Sequence, residues 1–76
     1  QAPRLATFKH MLATELTAYV LDLPAAMRQL ESAVSAGLTD QNWLERCPVL
    51  APLRKLPEFE RLSAVTRQRA ARARAI

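Results

Sequence analysis

Large apolar residues recur at steps of three and four along the first third of the chain. Pro3 suits the first turn of a helix, and the apolar stripe after it runs through Leu5, Phe8, Leu12, Leu16, Tyr19, Val20 and Leu23. This spacing predicts a helix over residues 3–22 whose large apolar stripe packs into a core. The helix should end near Asp22, because the residue before Pro24 is pushed out of the helical region.

The opposite side of this first helix is small or polar. Its residues are Ala6, His10, Thr14 and Thr17. We expect this side to face water or to line a groove that binds a protein or peptide partner.

A second helix is predicted over residues 24–36, followed by Gly37 in the left-handed position just past its end. Asp22 lies close enough to accept a free N–H group of its first turn. The inner face has Ala26, Leu30, Ala33 and Val34. Because the link between the two helices has only a few residues, residues 1–38 should form an antiparallel helical hairpin.

A proline-rich strap is predicted over residues 39–56. Asp40 can cap a short turn of helix near residues 40–46, and the prolines that follow forbid a long helix. A last helix should begin at Pro57, with a stripe of Phe59, Leu62 and Val65. It makes residues 57–76 a capping helix and completes an all-α fold.

The net charge of +4 is confined to the end of the chain. Residues 1–66 carry seven basic and seven acidic side chains, so the excess is Arg67, Arg69, Arg72 and Arg74. Since residues 67–76 have little to bury, we expect them to protrude or fray. Clustered arginines can bind phosphates, but no aromatic residue follows Phe59 to stack on a base. A solvated or acid-binding tail is therefore favoured over specific nucleic-acid binding.

Few residues are suited to catalysis. His10, Cys47 and Tyr19 are single residues of their kinds outside any known motif, and one Gly does not make a phosphate-binding loop. We expect neither enzyme activity nor a bound cofactor or metal. A single Cys fits the reducing cytoplasm, and no apolar run is long enough to cross a membrane.

The second helix has a small-large-small pattern at Ala26, Leu30 and Ala33. The end of the chain has a second pattern, at Trp43, Leu44, Leu50, Pro52, Leu53, Arg54, Pro57, Phe59 and Leu62. Together they resemble the C-terminal end of bacterial tetratricopeptide-repeat arrays, which are found with Ser/Thr protein kinases and multidomain signalling regulators. The resemblance covers residues 5–66. It implies a structural cap made by Trp43, Leu50, Leu53, Phe59 and Leu62.

Three functions remain open. The first is a protein-interaction module, the terminal repeat and cap of a tetratricopeptide-like solenoid whose partner is another protein, a peptide or its own parent chain. The second is a small helical docking or dimerisation element. The third is a nucleic-acid adaptor that uses the arginine-rich tail. The sequence leaves the oligomeric state undecided.

Overall fold

The computed structural model describes residues 3–75, and the side chains of residues 5–73. All regular structure in that range is helical, which confirms the all-α prediction. The elements are α1 (Pro3–Tyr19), α2 (Leu23–Ser35), α3 (Gln41–Arg46), a 3-10 turn (Pro48–Leu50), α4 (Ala51–Arg54) and α5 (Pro57–Ala75).

The turn between α1 and α2 is made by local hydrogen bonds. Leu21 takes a left-handed conformation with φ of 62°. This allows Leu21 N to donate to Ala18 O at 2.9 Å, and Asp22 N to donate to Thr17 O at 2.9 Å. The Asp22 carboxylate then accepts from Ala25 N at 3.3 Å, so the predicted N-cap of α2 is confirmed.

The C-terminus of α2 is capped at Gly37, as the sequence predicts. Gly37 has a φ of 111°, and its N–H donates to Val34 O at 3.1 Å. Leu38 N donates to Ala33 O at 3.0 Å, and the Leu38 side chain is buried. This pair of bonds satisfies carbonyl groups that a helix end otherwise leaves free.

Helices α1 and α2 run antiparallel. Near the start of α1, the Thr7 hydroxyl donates to Ala36 O just past the end of α2, at 3.4 Å. One turn later, His10 Nδ1 lies 3.0 Å from Gln29 Oε1 in the middle of α2. The partner number falls as the α1 number rises, which is the order of an antiparallel pair.

The core lies between α2, the strap and α5. Its buried apolar residues are Ala18, Ala26, Leu30, Ala33, Val34, Leu38, Leu44, Leu50, Leu53, Phe59 and Leu62. Only Ala18 in this set belongs to α1. The second helix is therefore the centre of the molecule, while α1 covers it from one side.

The strap is held by one arginine. Asp40 caps α3 by accepting from Trp43 N at 3.0 Å, as predicted for this short helix. Arg54 then donates from Nε to Leu44 O at 2.9 Å and from Nη2 to Cys47 O at 2.7 Å. Because the last carbonyls of a helix carry partial negative charge, a guanidinium at this end stabilises the turn that follows α3.

Helix α5 packs further along its length than we expected. Thr66 and Ala70 are buried, and Arg69 Nη1 donates to Val34 O at 2.6 Å and to Leu38 O at 3.2 Å. The prediction that residues 67–76 protrude or fray is therefore wrong as far as Ala70. The Arg74 side chain lies outside the described residues.

Candidate functional site

Five large apolar residues of α1 and the two residues that follow it in the turn face water. The exposed fractions are 63% for Leu5, 56% for Phe8, 45% for Leu12, 68% for Leu16, 77% for Tyr19, 69% for Val20 and 67% for Leu21. The prediction that the stripe packs into the core is wrong for all its members except Leu23, which is half-buried against the core. We refer to these seven residues as the α1 apolar face.

The opposite side of α1 makes the contact with α2. Thr14 is 0% exposed and Ala18 is 2% exposed, and they meet a helix whose own inner face includes the fully buried Ala26 and Ala33. Small side chains on both helices let the two backbones approach closely. The Thr14 hydroxyl donates to His10 O at 2.7 Å, so its burial leaves no hydroxyl without a partner.

The predicted partner groove on this side is therefore not an open groove. Thr14 is buried under α2, while His10 and Thr17 are half-buried. The Thr17 hydroxyl donates to Ala13 O of its own helix at 2.7 Å. Ala6 alone among these four residues is exposed. A partner would reach Ala6 fully and His10 and Thr17 in part, but not Thr14.

A second edge of α1 is covered by the strap. Trp43 Nε1 donates to Glu15 Oε2 at 2.7 Å, and Cys47 Sγ lies 3.9 Å from the same oxygen. The half-buried Met11 also packs against the core. The α1 apolar face is thus what remains after α2 and the strap have each covered one part of the helix.

The α1 apolar face is large for a chain of this size. At about 150–250 Å² for an aromatic side chain and somewhat less for Leu or Val, the exposed fractions correspond to roughly 800 Å² of accessible surface, against about 300–600 Å² for the largest apolar patch of an ordinary monomer. Among the described side chains of α1, the charged ones are Lys9 and Glu15, and Glu15 is bonded to Trp43. The face is therefore nearly free of charge.

The residues predicted to form a structural cap lie in or beside the core. Leu50 and Leu53 are 0% exposed, Leu62 is 2% exposed and Phe59 is 6% exposed, while Trp43 is half-buried against them. The cap residues share the core with Leu30, whereas Leu16 and Tyr19 of α1 are exposed and lie outside it. Their role in ending a repeat array stays a prediction.

The charged surface of α5 is paired locally. Arg61 lies between Glu58 and Glu31, and the hydrogen bond with Glu58, followed by its charge, raises the pKa of Arg61 above the ordinary value. Arg67 lies 3.7 Å from Glu60 and 3.4 Å from the Ser63 hydroxyl. All three ion pairs are exposed, so each contributes little to stability.

The sequence pattern contains a signal that would have identified the α1 apolar face. Thr14 and Ala18 lie four residues apart, as small residues do where two helices cross closely, and the second helix has its own small residues at Ala26 and Ala33. Matching the two small faces would have placed the large apolar residues outside. The stripe of large residues was the stronger signal, and it predicted the opposite orientation.

The described residues contain no group of three or more His, Cys, Asp and Glu side chains placed to hold a metal ion. No helix in the same part of the chain is both long and apolar enough to span a membrane. Comparison with protein-family models, with curated proteins and with solved structures gives no match to this chain.

Proposed function

We propose that this chain is a protein–protein interaction module and that the α1 apolar face is its docking surface. The observation that carries the proposal is the exposure of seven large apolar side chains, five on α1 and two in the turn that follows it. Water-exposed apolar patches of this size are typical of surfaces that bind another protein. Binding rather than catalysis is the proposed role.

One form of this proposal is the terminal repeat and cap of a tetratricopeptide-like solenoid in a cytoplasmic bacterial signalling or regulatory protein. A terminal repeat needs one apolar side for its neighbour and one closed side. The α1 apolar face supplies the first, and the strap with α5 covers the α2 side. In this form, the occupant of the face is a preceding helical hairpin with a similar apolar surface.

A second form is a dimerisation element, which the spacing of residues on α1 favours. A third candidate, nucleic-acid binding by the arginine-rich end, has less support. Arg69 donates to two backbone carbonyls, and Arg67 lies beside Glu60. Fewer arginine side chains are therefore available to bind phosphates than the sequence indicates.

The test compares two substitutions on the same helix. Leu12→Asp introduces a charge in the middle of the α1 apolar face, whereas Ala6→Asp places the same charge on an exposed position outside it. Tagged protein of each kind is used to capture partners from a bacterial extract. A captured protein is then purified, and its Kd is measured by calorimetry against wild type and both variants.

We expect Leu12→Asp to raise the Kd at least about tenfold, because a charge is desolvated at the centre of an interface. Ala6→Asp should leave it nearly unchanged. Circular dichroism of the three proteins checks that each one folds. A partner that is lost with Ala6→Asp but kept with Leu12→Asp would contradict the proposal and favour a binding site on the small-residue side.

A further inference from the structure

We propose that the α1 apolar face binds the same face of a second copy of this chain, with the two α1 helices antiparallel and a two-fold axis at Leu12. The inference rests on the proposed function, since it takes the face to be a docking surface. It goes further by naming the occupant and the pairing of residues.

The five residues of the face that lie within α1 have the same spacing in both directions. From Leu5 to Tyr19 the steps are three, four, four and three, with Leu12 in the middle. A second copy that runs the other way therefore matches apolar residue to apolar residue over the whole stripe. Leu12 meets Leu12, Phe8 meets Leu16, and Leu5 meets Tyr19.

The period of the stripe suits direct helix packing. Four steps over 14 residues give a mean of 3.5 residues, which is the repeat of two helices that pack side by side with a crossing angle near 20°. In this arrangement each large side chain enters a space between residues of the facing helix. Each aromatic ring meets a Leu, so large and smaller side chains alternate along the contact.

The area is sufficient for a stable dimer. The five paired side chains contribute roughly 600 Å² from each copy, so the pair covers about 1,200 Å² in total, which is at the lower end of the size range of specific protein interfaces. The helix that carries the face has 17 residues and is about 25 Å long. The contact therefore runs along the whole helix.

Charge does not oppose this contact. Of the two charged side chains described on α1, Glu15 is bonded to Trp43, and the antiparallel pairing places the two copies of Lys9 about 9 Å apart along the helix axis. That separation is close to the screening length at physiological salt, which is about 8 Å. The Lys9 stem can also cover apolar surface while its ammonium group stays in water.

The antiparallel direction is favoured over the parallel one. In a parallel pair, equal ends of the two α1 helices would lie together, and the partial charges at those ends would repel. Reversing one copy places the positive end of each helix beside the negative end of the other. Only the antiparallel arrangement depends on the symmetric spacing of the stripe about Leu12.

The first experiment measures molecular mass by sedimentation equilibrium over a wide range of protein concentration. Wild type should be a dimer that dissociates on dilution. Leu12→Asp should raise the dimer Kd on the order of 100-fold, since the change is present in both copies and the two carboxylates face each other. Ala6→Asp is the control, and it should dimerise like wild type.

The second experiment determines the direction by disulfide formation in a Cys47→Ser background. Leu12→Cys should form a covalent dimer with itself under mild oxidation. Leu5→Cys and Tyr19→Cys should cross-link with each other when mixed but not each with itself. In the antiparallel pair, two copies of either residue are about 21 Å apart, well beyond the roughly 7 Å that a disulfide can bridge.

The outcomes distinguish failure of the dimer from failure of the proposed function. Wild type that stays monomeric at all concentrations overturns the dimer, and so does self-cross-linking of Leu5→Cys without the mixed product. If that monomer still binds a different protein in a way that Leu12→Asp disrupts, the proposed interaction function stands with another occupant. If Leu12→Asp affects neither self-association nor partner binding, both are overturned.

Discussion

Helices α1 and α5 carry similar apolar patterns and use them in opposite ways. The two phenylalanines of the chain make the contrast plain, since Phe59 at the start of α5 is 6% exposed and Phe8 on α1 is 56% exposed. Phe59 enters a core already lined by leucines of α2 and the strap. Phe8 has no such neighbour, because α1 contacts α2 through small residues. An apolar stripe thus predicts a contact without saying whether the contact lies within the chain.

The largest expected effect comes from removing each phenylalanine in turn. Phe59→Ala should lower the free energy of unfolding by about 3–5 kcal/mol, because it removes a buried ring and leaves a cavity. Phe8→Ala should change it by less than about 0.5 kcal/mol, as for other exposed positions. Both changes are made in the Leu12→Asp protein, so that self-association does not contribute, and are measured by urea denaturation.

Equal losses for the two phenylalanines would show that Phe8 is buried in solution, which would remove the basis of the docking surface. A small loss for Phe59→Ala would instead contradict the core position of α5. The two results are independent because they concern different helices.

A smaller effect is expected from the arginines of α5. Arg69 donates to Val34 O and Leu38 O at the negative end of α2, whereas the exposed Arg67 is paired with Glu60 and Ser63. Arg69→Gln should therefore lower the free energy of unfolding by about 1–2 kcal/mol. Arg67→Gln is the matched control and should cost less than about 0.5 kcal/mol.

Thermal denaturation of the two arginine variants at the same salt concentration provides the measurement. If both were neutral, the end of α5 would not be docked on α2. The original expectation of a protruding tail would then hold in solution.

The smallest change in stability is expected at Leu21 and Gly37, the two residues with positive φ that follow α1 and α2. Gly37 meets no steric penalty, but Leu21, with φ of 62°, carries a side chain in a region that costs about 1–2 kcal/mol. Leu21→Gly relieves this strain but also raises the conformational entropy of the unfolded chain. The net effect should be to stabilise the monomer by about 0.5–1 kcal/mol.

Gly37→Ala is the counterpart of this change. Nothing lies within 4 Å of the added methyl group, so the expected loss of about 1 kcal/mol comes from the backbone alone. Chemical denaturation of both variants tests the pair. A destabilising Leu21→Gly would show that the Leu21 side chain makes contacts in solution that outweigh its strain.

Local features of the fold could be predicted from the sequence, and contacts between distant segments could not. The caps at Asp22 and Asp40 and the turn at Gly37 are confirmed, because each depends on residues within a few positions along the chain. The order of the helices is confirmed for the same reason. Short-range backbone chemistry is visible in a single sequence.

The predictions that failed have one cause. The orientation of α1 depends on which of its sides fits α2 closely, and the docking of Arg69 depends on carbonyls more than 30 positions earlier. Backbone carbonyls have no signature in a sequence, and a small-residue face is a weaker signal than a stripe of leucines. The α1 apolar face was therefore recognised as apolar but placed on the wrong side.

The hydrogen bond between Trp43 and Glu15 allows the contact between α1 and the strap to be followed by tryptophan fluorescence. Trp43 is the single tryptophan of the chain, and its half-buried indole donates to a carboxylate of α1 at 2.7 Å. Its emission therefore depends on whether α1 lies against the strap, whereas the ellipticity of the helices does not. Fluorescence and circular dichroism recorded on one sample would distinguish the release of α1 from the unfolding of the whole chain.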